Sequence, residues 1–380
     1  MNIGEWLLWI GIGLLVWTYA GYSVFIWALS VVRPQLWKEK EFAGRVSLVV
    51  AAHNEEDVIR EKIENSLSLD FGTALSEIIF VSDGSRDKTE TILNEYKSAD
   101  RLHIVAYQPR AGKAHALNVG VEKAQGDILI FSDANVMLDI DACKALLKPF
   151  YDKQVGAVCG KVLVRAKGER EVAGESLYMK YEGWIQRSEA KFYSMVGIDG
   201  ALFALRRELF TPLRTEIILD DFTLSMEAPF NGQRIVYADD ALAVEEVIPS
   251  AENEFKRKTR IVSGGYQYLA GLFKRDKSLN GIMWFEFISH KILKWVAPFA
   301  MIYVFFANLF LLDTPVYRLL FCLQVVFYLL ALSGYLYKGL RKVHMVYVPY
   351  YFCVVNLAAL VGFFRFVFQG QKSLWDKVER

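Results

Sequence analysis

Cysteine is scarce and never paired in sequence. The four in the chain, Cys143, Cys159, Cys322 and Cys353, lie far apart with no CxxC motif, which argues against both a disulfide scaffold and a thiolate zinc site. An excess of charge is missing too: Lys and Arg number 44 against 43 Asp and Glu, a net charge of +1, so no basic surplus points to nucleic acid as a partner. Charge is also absent from long stretches. No Asp, Glu, Lys or Arg occurs from Trp6 to Val32, Trp295 to Leu312, Leu319 to Tyr337 or Val346 to Phe364.

What fills those stretches is apolar. Of the 380 residues, 53% are hydrophobic and 14% aromatic, and the mean hydropathy of +0.21 is too high for an ordinary soluble enzyme. At about 1.5 Å of rise per residue, the first run exceeds a hydrocarbon core of roughly 30 Å, and the other three, of 18, 19 and 19 residues, are within the length range of membrane-spanning helices. The first run opens beside Glu5, without a basic start, and is followed by Arg33, Lys38 and Lys40. It therefore reads as a retained anchor with its N-terminus outside rather than a cleaved signal peptide. The KGLRK cluster at Lys338 to Lys342 puts the loop between the last two runs on the cytosolic side as well. Four spans then leave both termini outside. A re-entrant last segment is the alternative, because the tail carries Lys372, Lys377 and Arg380.

This pattern divides the chain into an N-terminal transmembrane anchor (1–33), a cytosolic domain (34–280), an interfacial amphipathic helix (281–294), three C-terminal spans (295–368) and a tail (369–380). The interfacial segment GIMWFEFISHKILK mixes large apolar residues with Glu286, His290, Lys291 and Lys294. The middle stretch is polar and long enough to bury its own core. Strand-like runs at Val46 to Ala51, Glu77 to Ser82, Leu102 to Ala106 and Ile128 to Ser132 alternate with amphipathic segments at Glu56 to Ser68, Asp87 to Lys97 and Lys113 to Ala124. That order predicts an α/β, Rossmann-like domain with a mostly parallel sheet, in which ligands bind beyond the carboxyl ends of the strands.

The residues at those ends are polar: Ala51-Ala52-His53-Asn54-Glu55-Glu56 after the first strand, Asp83-Gly84-Ser85-Arg86-Asp87 after the second, Asp133-Ala134-Asn135 after the fourth. Turn and helix-capping chemistry also accounts for SDGSRD. Lys113, beside Gly112 at a helix start, suits an anionic group, although the segment lacks the Walker spacing. Asp133 leaves the apolar strand ILIFS as a hard oxygen ligand for Mg²⁺ or Mn²⁺, with helix capping as the plainer explanation. Asp220-Asp221 sets two carboxylates at a helix start, where one can serve as a general base. The basic run Lys256-Arg257-Lys258, with Arg260, fits lipid headgroups or phosphate equally well.

Taken together in their order and spacing, AAHNEE, SDGS, RAGKAHALN, SDAN and LDDF resemble the motifs of the membrane-bound family 2 glycosyltransferases of the GT-A fold, a group that includes cellulose, hyaluronan, chitin-oligosaccharide and poly-N-acetylglucosamine synthases. The likeness runs through nearly the whole chain. It implies an inverting, metal-dependent glycosyltransferase of the plasma (inner) membrane, multi-pass with its catalytic domain cytosolic, that uses a nucleotide-sugar donor, most simply a UDP-sugar, to build an envelope or extracellular polysaccharide. By the resemblance, Ala51, His53, Glu55, Asp83, Lys113, Asp133 and Arg260 bind the donor. Asp133 and Asn135 hold Mg²⁺ or Mn²⁺, Asp199, Gly200 and Asp220 meet the acceptor, and Asp221 is the base. The stretch Ile198 to Ala201 followed by Leu205-Arg206-Arg207 is similar to the family's acceptor-site segment. The implied partners are the donor, a glycan or lipid-linked acceptor, membrane lipid and export or envelope-assembly proteins, with no nucleic acid.

Two departures bear on function. Asn135 replaces the last acid of the DxD motif, and the QxxRW motif of processive synthases reads Arg257-Lys258-Thr259-Arg260-Ile261, keeping the arginine and losing the Gln and Trp. Transfer of one sugar to a polyprenyl phosphate or other lipid-linked acceptor is therefore an alternative, and a nonenzymatic nucleotide-binding membrane component is another.

Overall fold

A computed structural model of the chain describes residues 3–33, 37–166, 177–198, 200–247, 251–272 and 274–368. They fall into two compact units, one made of residues 3–25, 251–272 and 285–368 and the other of residues 26–33, 37–166, 177–198, 200–247 and 274–284.

The second unit is built on an eight-stranded mixed sheet. Its strands are β1 (Arg45–Ala52), β2 (Leu75–Asp83), β3 (Leu102–Tyr107), β4 (Ile128–Ser132), β5 (Val136–Leu138), β6 (Val155–Ala166), β7 (Leu202–Arg206) and β8 (Arg234–Val247), in the order β3-β2-β1-β4-β7-β6-β8-β5. β1 pairs in parallel with both β2 and β4, and β2 with β3. From Val46 to Ala52 every residue of β1 is buried, as a central parallel strand covered on both faces requires. Direction reverses where β7 joins β4 antiparallel. β8 then runs parallel to β6 and antiparallel to the three-residue β5.

The helices that matter for the site are α1 (Ile59–Ser68), α2 (Thr89–Glu95), α3 (Lys113–Lys123) and α4 (Asp220–Ser225). In α1 the buried residues are Ile59, Lys62, Ile63 and Ser66, the spacing of one helix face. The four strands and first three helices expected from the alternating pattern are all present. β5 to β8 were outside that expectation.

In the first unit the described chain is helical. Four helices of the chain, Ile3–Val32, Gly281–Leu309, Pro315–Leu336 and His344–Phe368, are long and apolar enough to cross a membrane. Gly281–Leu309 runs without a break through residue 294, so the amphipathic stretch 281–294 and the apolar run after it form one helix. Leu8, Val304 and Tyr317 make a small buried cluster. Polar side chains tie these helices together: Tyr19 Oη donates to Asn356 Oδ1 at 2.7 Å, Trp17 Nε1 to Ser289 Oγ at 3.3 Å, and the amides of Asn308 and Gln324 meet at 3.2 Å. The helix Ala251–Leu272 packs against His344–Phe368 so closely that a Cβ on Gly362 would stand 2.8 Å from the carbonyl oxygen of Thr259.

Candidate active site

The carboxyl ends of β1, β2 and β4 lie side by side, and the polar residues after them converge as the strand order dictates. A cleft there is lined by Ala51, Lys113, Ser132, Asp133, Gly200 and Asp220, among others. Lys113, the first residue of α3, places its Nζ 2.8 Å from Asp133 Oδ1 and 3.1 Å from Asp220 Oδ2. Burial opposes a charge on Lys113, but the carboxylates of Asp133, Asp220 and Asp221 outweigh it and hold the ammonium well above the ordinary lysine range. All three groups keep some contact with solvent, at 24%, 25% and 13% side-chain exposure for Lys113, Asp133 and Asp220, which suits a site that must admit a ligand.

Asp221 sits one residue on and faces a different set of atoms. Its Oδ2 accepts the Gly200 N–H at 3.0 Å and its Oδ1 the Phe222 N–H at 2.7 Å. The two neighbouring acids are thus separated by role: Asp220 is paired with the cation, and Asp221 is bonded to the loop before β7. Asp199 lies outside the described residues. Arg206 donates to the carbonyls of Val155, Phe150 and Asp152, and Arg207 to those of Ala124 and Val121, so both guanidiniums hold backbone.

Asp83 is fully buried at the end of β2, and its carboxylate gathers the segment leading into α3. Ala111 N–H bonds to Oδ1 at 2.6 Å, Gly112 N–H to Oδ2 at 2.9 Å, and the Tyr107 hydroxyl to Oδ1 at 3.0 Å. The side chain expected to meet the nucleotide therefore also fixes where α3, and with it Lys113, begins. Gly84 makes this contact possible. Its φ is +58°, and an added Cβ would lie 2.5 Å from the Arg110 backbone nitrogen. His53 links the first two strand ends: its Nδ1 is 2.6 Å from the Asp83 carbonyl, and its Nε2 accepts from Asn54 Nδ2 at 3.2 Å, which assigns the ring proton to Nδ1. Glu55, 3% exposed, bonds through its own N–H to Thr89 Oγ1 at 2.8 Å. Arg260 is exposed on the helix Ala251–Leu272, which belongs to the other unit.

The turn 133–135 is held by residues that the sequence reading did not single out. Lys62, fully buried in α1, donates to Ser132 Oγ at 2.8 Å and to the Val136 carbonyl at 2.5 Å, gripping both flanks of the turn. Burial pulls its pKa down to about 7. One helical turn on, Asn65 exchanges two hydrogen bonds with the backbone of Leu138, at 2.7 and 2.9 Å. The available signal was a lysine and an asparagine three apart on the apolar face of α1.

Among the described residues no group of three or more His, Cys, Asp and Glu side chains could hold a metal alone. Mg²⁺ and Mn²⁺ commonly take one or two protein oxygens and complete their shells with phosphate and water, and Asp133 with the amide of Asn135 meets that lesser demand. The Lys113 ammonium against Asp133 already shows a cation-attracting edge.

Residues 47–213 match the sequence profile described as Glycosyl transferase family 2. Over 231 residues the chain is 28% identical to a poly-β-1,6-N-acetyl-D-glucosamine synthase of Staphylococcus aureus, covering 59% of this chain and 55% of that one. The chain thus spans about half the length of such curated relatives. A Staphylococcus epidermidis enzyme of the same name is 27% identical over 310 residues, 78% of this chain and 74% of that one. Among solved structures, a mannosyltransferase from Pyrobaculum calidifontis in complex with GDP-Man and Mn²⁺ is similar across 96% of this chain and 100% of its own, with a TM-score of 0.73 at 20% identity. The fold is that of this transferase, as the motif resemblance implied.

Proposed function

Because the chain carries a family 2 glycosyltransferase domain at residues 47–213, we propose that it transfers a sugar from a nucleotide donor onto a growing envelope or extracellular polysaccharide, with inversion at the anomeric carbon. The observation that carries the reading is the meeting of Lys113, Asp133 and Asp220 at the sheet's carboxyl edge, beside the loop that Asp221 holds.

Breaking the bond from sugar to diphosphate requires positive charge at the leaving oxygens and a base at the incoming hydroxyl. Lys113, the first residue of α3, faces the diphosphate with its ammonium. Asp133 and Asn135 would hold Mg²⁺ or Mn²⁺, which when bound supplies further charge neutralisation at the phosphates. Asp221 takes the proton of the acceptor hydroxyl. Asp220 balances Lys113 and stands toward the acceptor with Gly200. His53, Glu55 and Asp83 shape the nucleotide end. The motif resemblance alone assigns Arg260 to the donor. The globular domain is cytosolic and the apolar helices anchor it in the plasma membrane.

The absent Gln and Trp of the QxxRW motif favour a second reading, in which one sugar goes to a lipid-linked acceptor. One experiment addresses both. Purified full-length protein is given UDP-N-acetylglucosamine, other UDP-sugars and GDP-mannose with Mg²⁺ or Mn²⁺, nucleoside diphosphate release is followed, and products are sized. Long products support chain building and single-sugar lipids the second reading. Asp221→Asn should abolish release while leaving donor affinity within about threefold, since one charge in the pair is kept by Asp220. Equal loss of donor binding would remove Asp221 from the role of base.

A further inference from the structure

Asn135 stands where the motif resemblance places the second acid of a metal-binding pair, and an amide there is ambiguous. Its Oδ1 can ligate a cation, whereas its NH₂ group repels one. A neighbour settles which edge is which. Asn135 Nδ2 donates to Glu245 Oε1 at 3.0 Å. Glu245 lies on β8 opposite Val136, the residue after Asn135, so the short antiparallel β5–β8 ladder brings its strand alongside the turn that carries Asn135. An ionised carboxylate has no hydrogen to give and can engage only the NH₂ edge of an amide. The oxygen edge is thereby turned away from Glu245.

We propose that Glu245 is a positioning residue for the donor-site metal, fixing Asn135 with its carbonyl oxygen presented as the ligand beside Asp133. The inference rests on the metal-dependent transferase reading given above. Three further features support it. Asn135 is only 7% exposed, which leaves its amide little freedom to rotate. The backbone around it is clamped from the other side by Lys62 at Ser132 and Val136 and by Asn65 at Leu138, so the turn offers no compensating shift. Glu245 also returns to the turn the negative charge that an Asn in place of an acid removes, one hydrogen bond away from the ligand.

The test is a double-mutant cycle read by Mn²⁺ binding, with free Mn²⁺ followed by electron paramagnetic resonance, in the detergent-solubilised full chain with UDP and, separately, GDP present. In the native background Glu245→Gln lets the new amide turn its own NH₂ toward Asn135, freeing Asn135 to reverse. Mn²⁺ affinity is expected to fall about tenfold. In the Asn135→Asp background two carboxylates face each other with no hydrogen between them, and Glu245→Gln supplies one. There the same substitution is expected to tighten Mn²⁺ binding by a similar factor. Misfolding cannot produce that gain. An effect of the same sign in both backgrounds, or none in either, overturns the role of Glu245 while leaving the metal reading intact. If the unmodified protein binds no Mn²⁺ with either nucleotide, both fall.

Discussion

Lys113 between two carboxylates concentrates the electrostatics of the site in one side chain. The raised pKa keeps its ammonium charged throughout the physiological range. Lys113→Gln removes that charge and leaves Asp133 and Asp220 facing each other. Donor affinity measured by calorimetry should fall by at least about tenfold, the weight of a charge-assisted hydrogen bond. Lys62 titrates in the opposite sense. Its folded pKa of about 7 lies below the 10.5 of an ordinary lysine, so between those values the unfolded chain binds a proton that the folded chain lacks. The stability from this group is therefore lowest below pH 7 and rises toward pH 10.5, by up to about 1.4 kcal/mol per pH unit. Lys62→Met should remove that slope. The thermal midpoint of the variant relative to that of the native chain should fall from pH 7 to pH 10, and a constant difference would show that Lys62 does not titrate in this window. Asp133 was legible in the sequence because an acid at the end of a strand with four successive apolar residues, Ile128 to Phe131, has few structural uses. Lys62 was not, since a lysine on the apolar face of a helix breaks the pattern by which a core is read. Glu245 was hidden by distance, 110 residues from the amide it holds.

Among the elements, the parallel half of the sheet could be read from sequence because each of its strands is a short apolar run followed by an amphipathic helix. β5 escaped notice because three residues carry no periodicity, and β6 to β8 because their partners are far apart in the chain. The same contrast appears in the motifs. SDGS was read for its aspartate, whereas the structure shows that Gly84 lets the end of β2 touch the segment before α3. Gly84→Ala combines a left-handed φ with a Cβ 2.5 Å from backbone. It should cost at least about 1 kcal/mol of stability, and it should weaken nucleotide binding by shifting Ala111 and Gly112 off Asp83. Thermal unfolding and calorimetric titration with UDP check the two parts, and an unchanged affinity would separate Asp83 from the donor site.

For the whole molecule, the apolar runs were legible by charge exclusion alone, but the place of residues 281–294 was not, because Glu286, His290, Lys291 and Lys294 hide the continuity of the helix through them. The orientation is open to a direct test at Gly339, which is exposed within the Lys338–Lys342 segment. With the native cysteines removed, Gly339→Cys should resist a membrane-impermeant maleimide on intact cells and react after permeabilisation; labelling from outside would reverse the proposed topology. The reversal of strand direction between β4 and β7 also splits the site along the chain. The proposed donor residues of the globular unit come from positions 51–135, and Gly200, Asp220 and Asp221 from the segment that follows. A hybrid that takes residues 200–225 from another transferase of this fold should then inherit its choice of nucleotide from one parent and its choice of acceptor from the other.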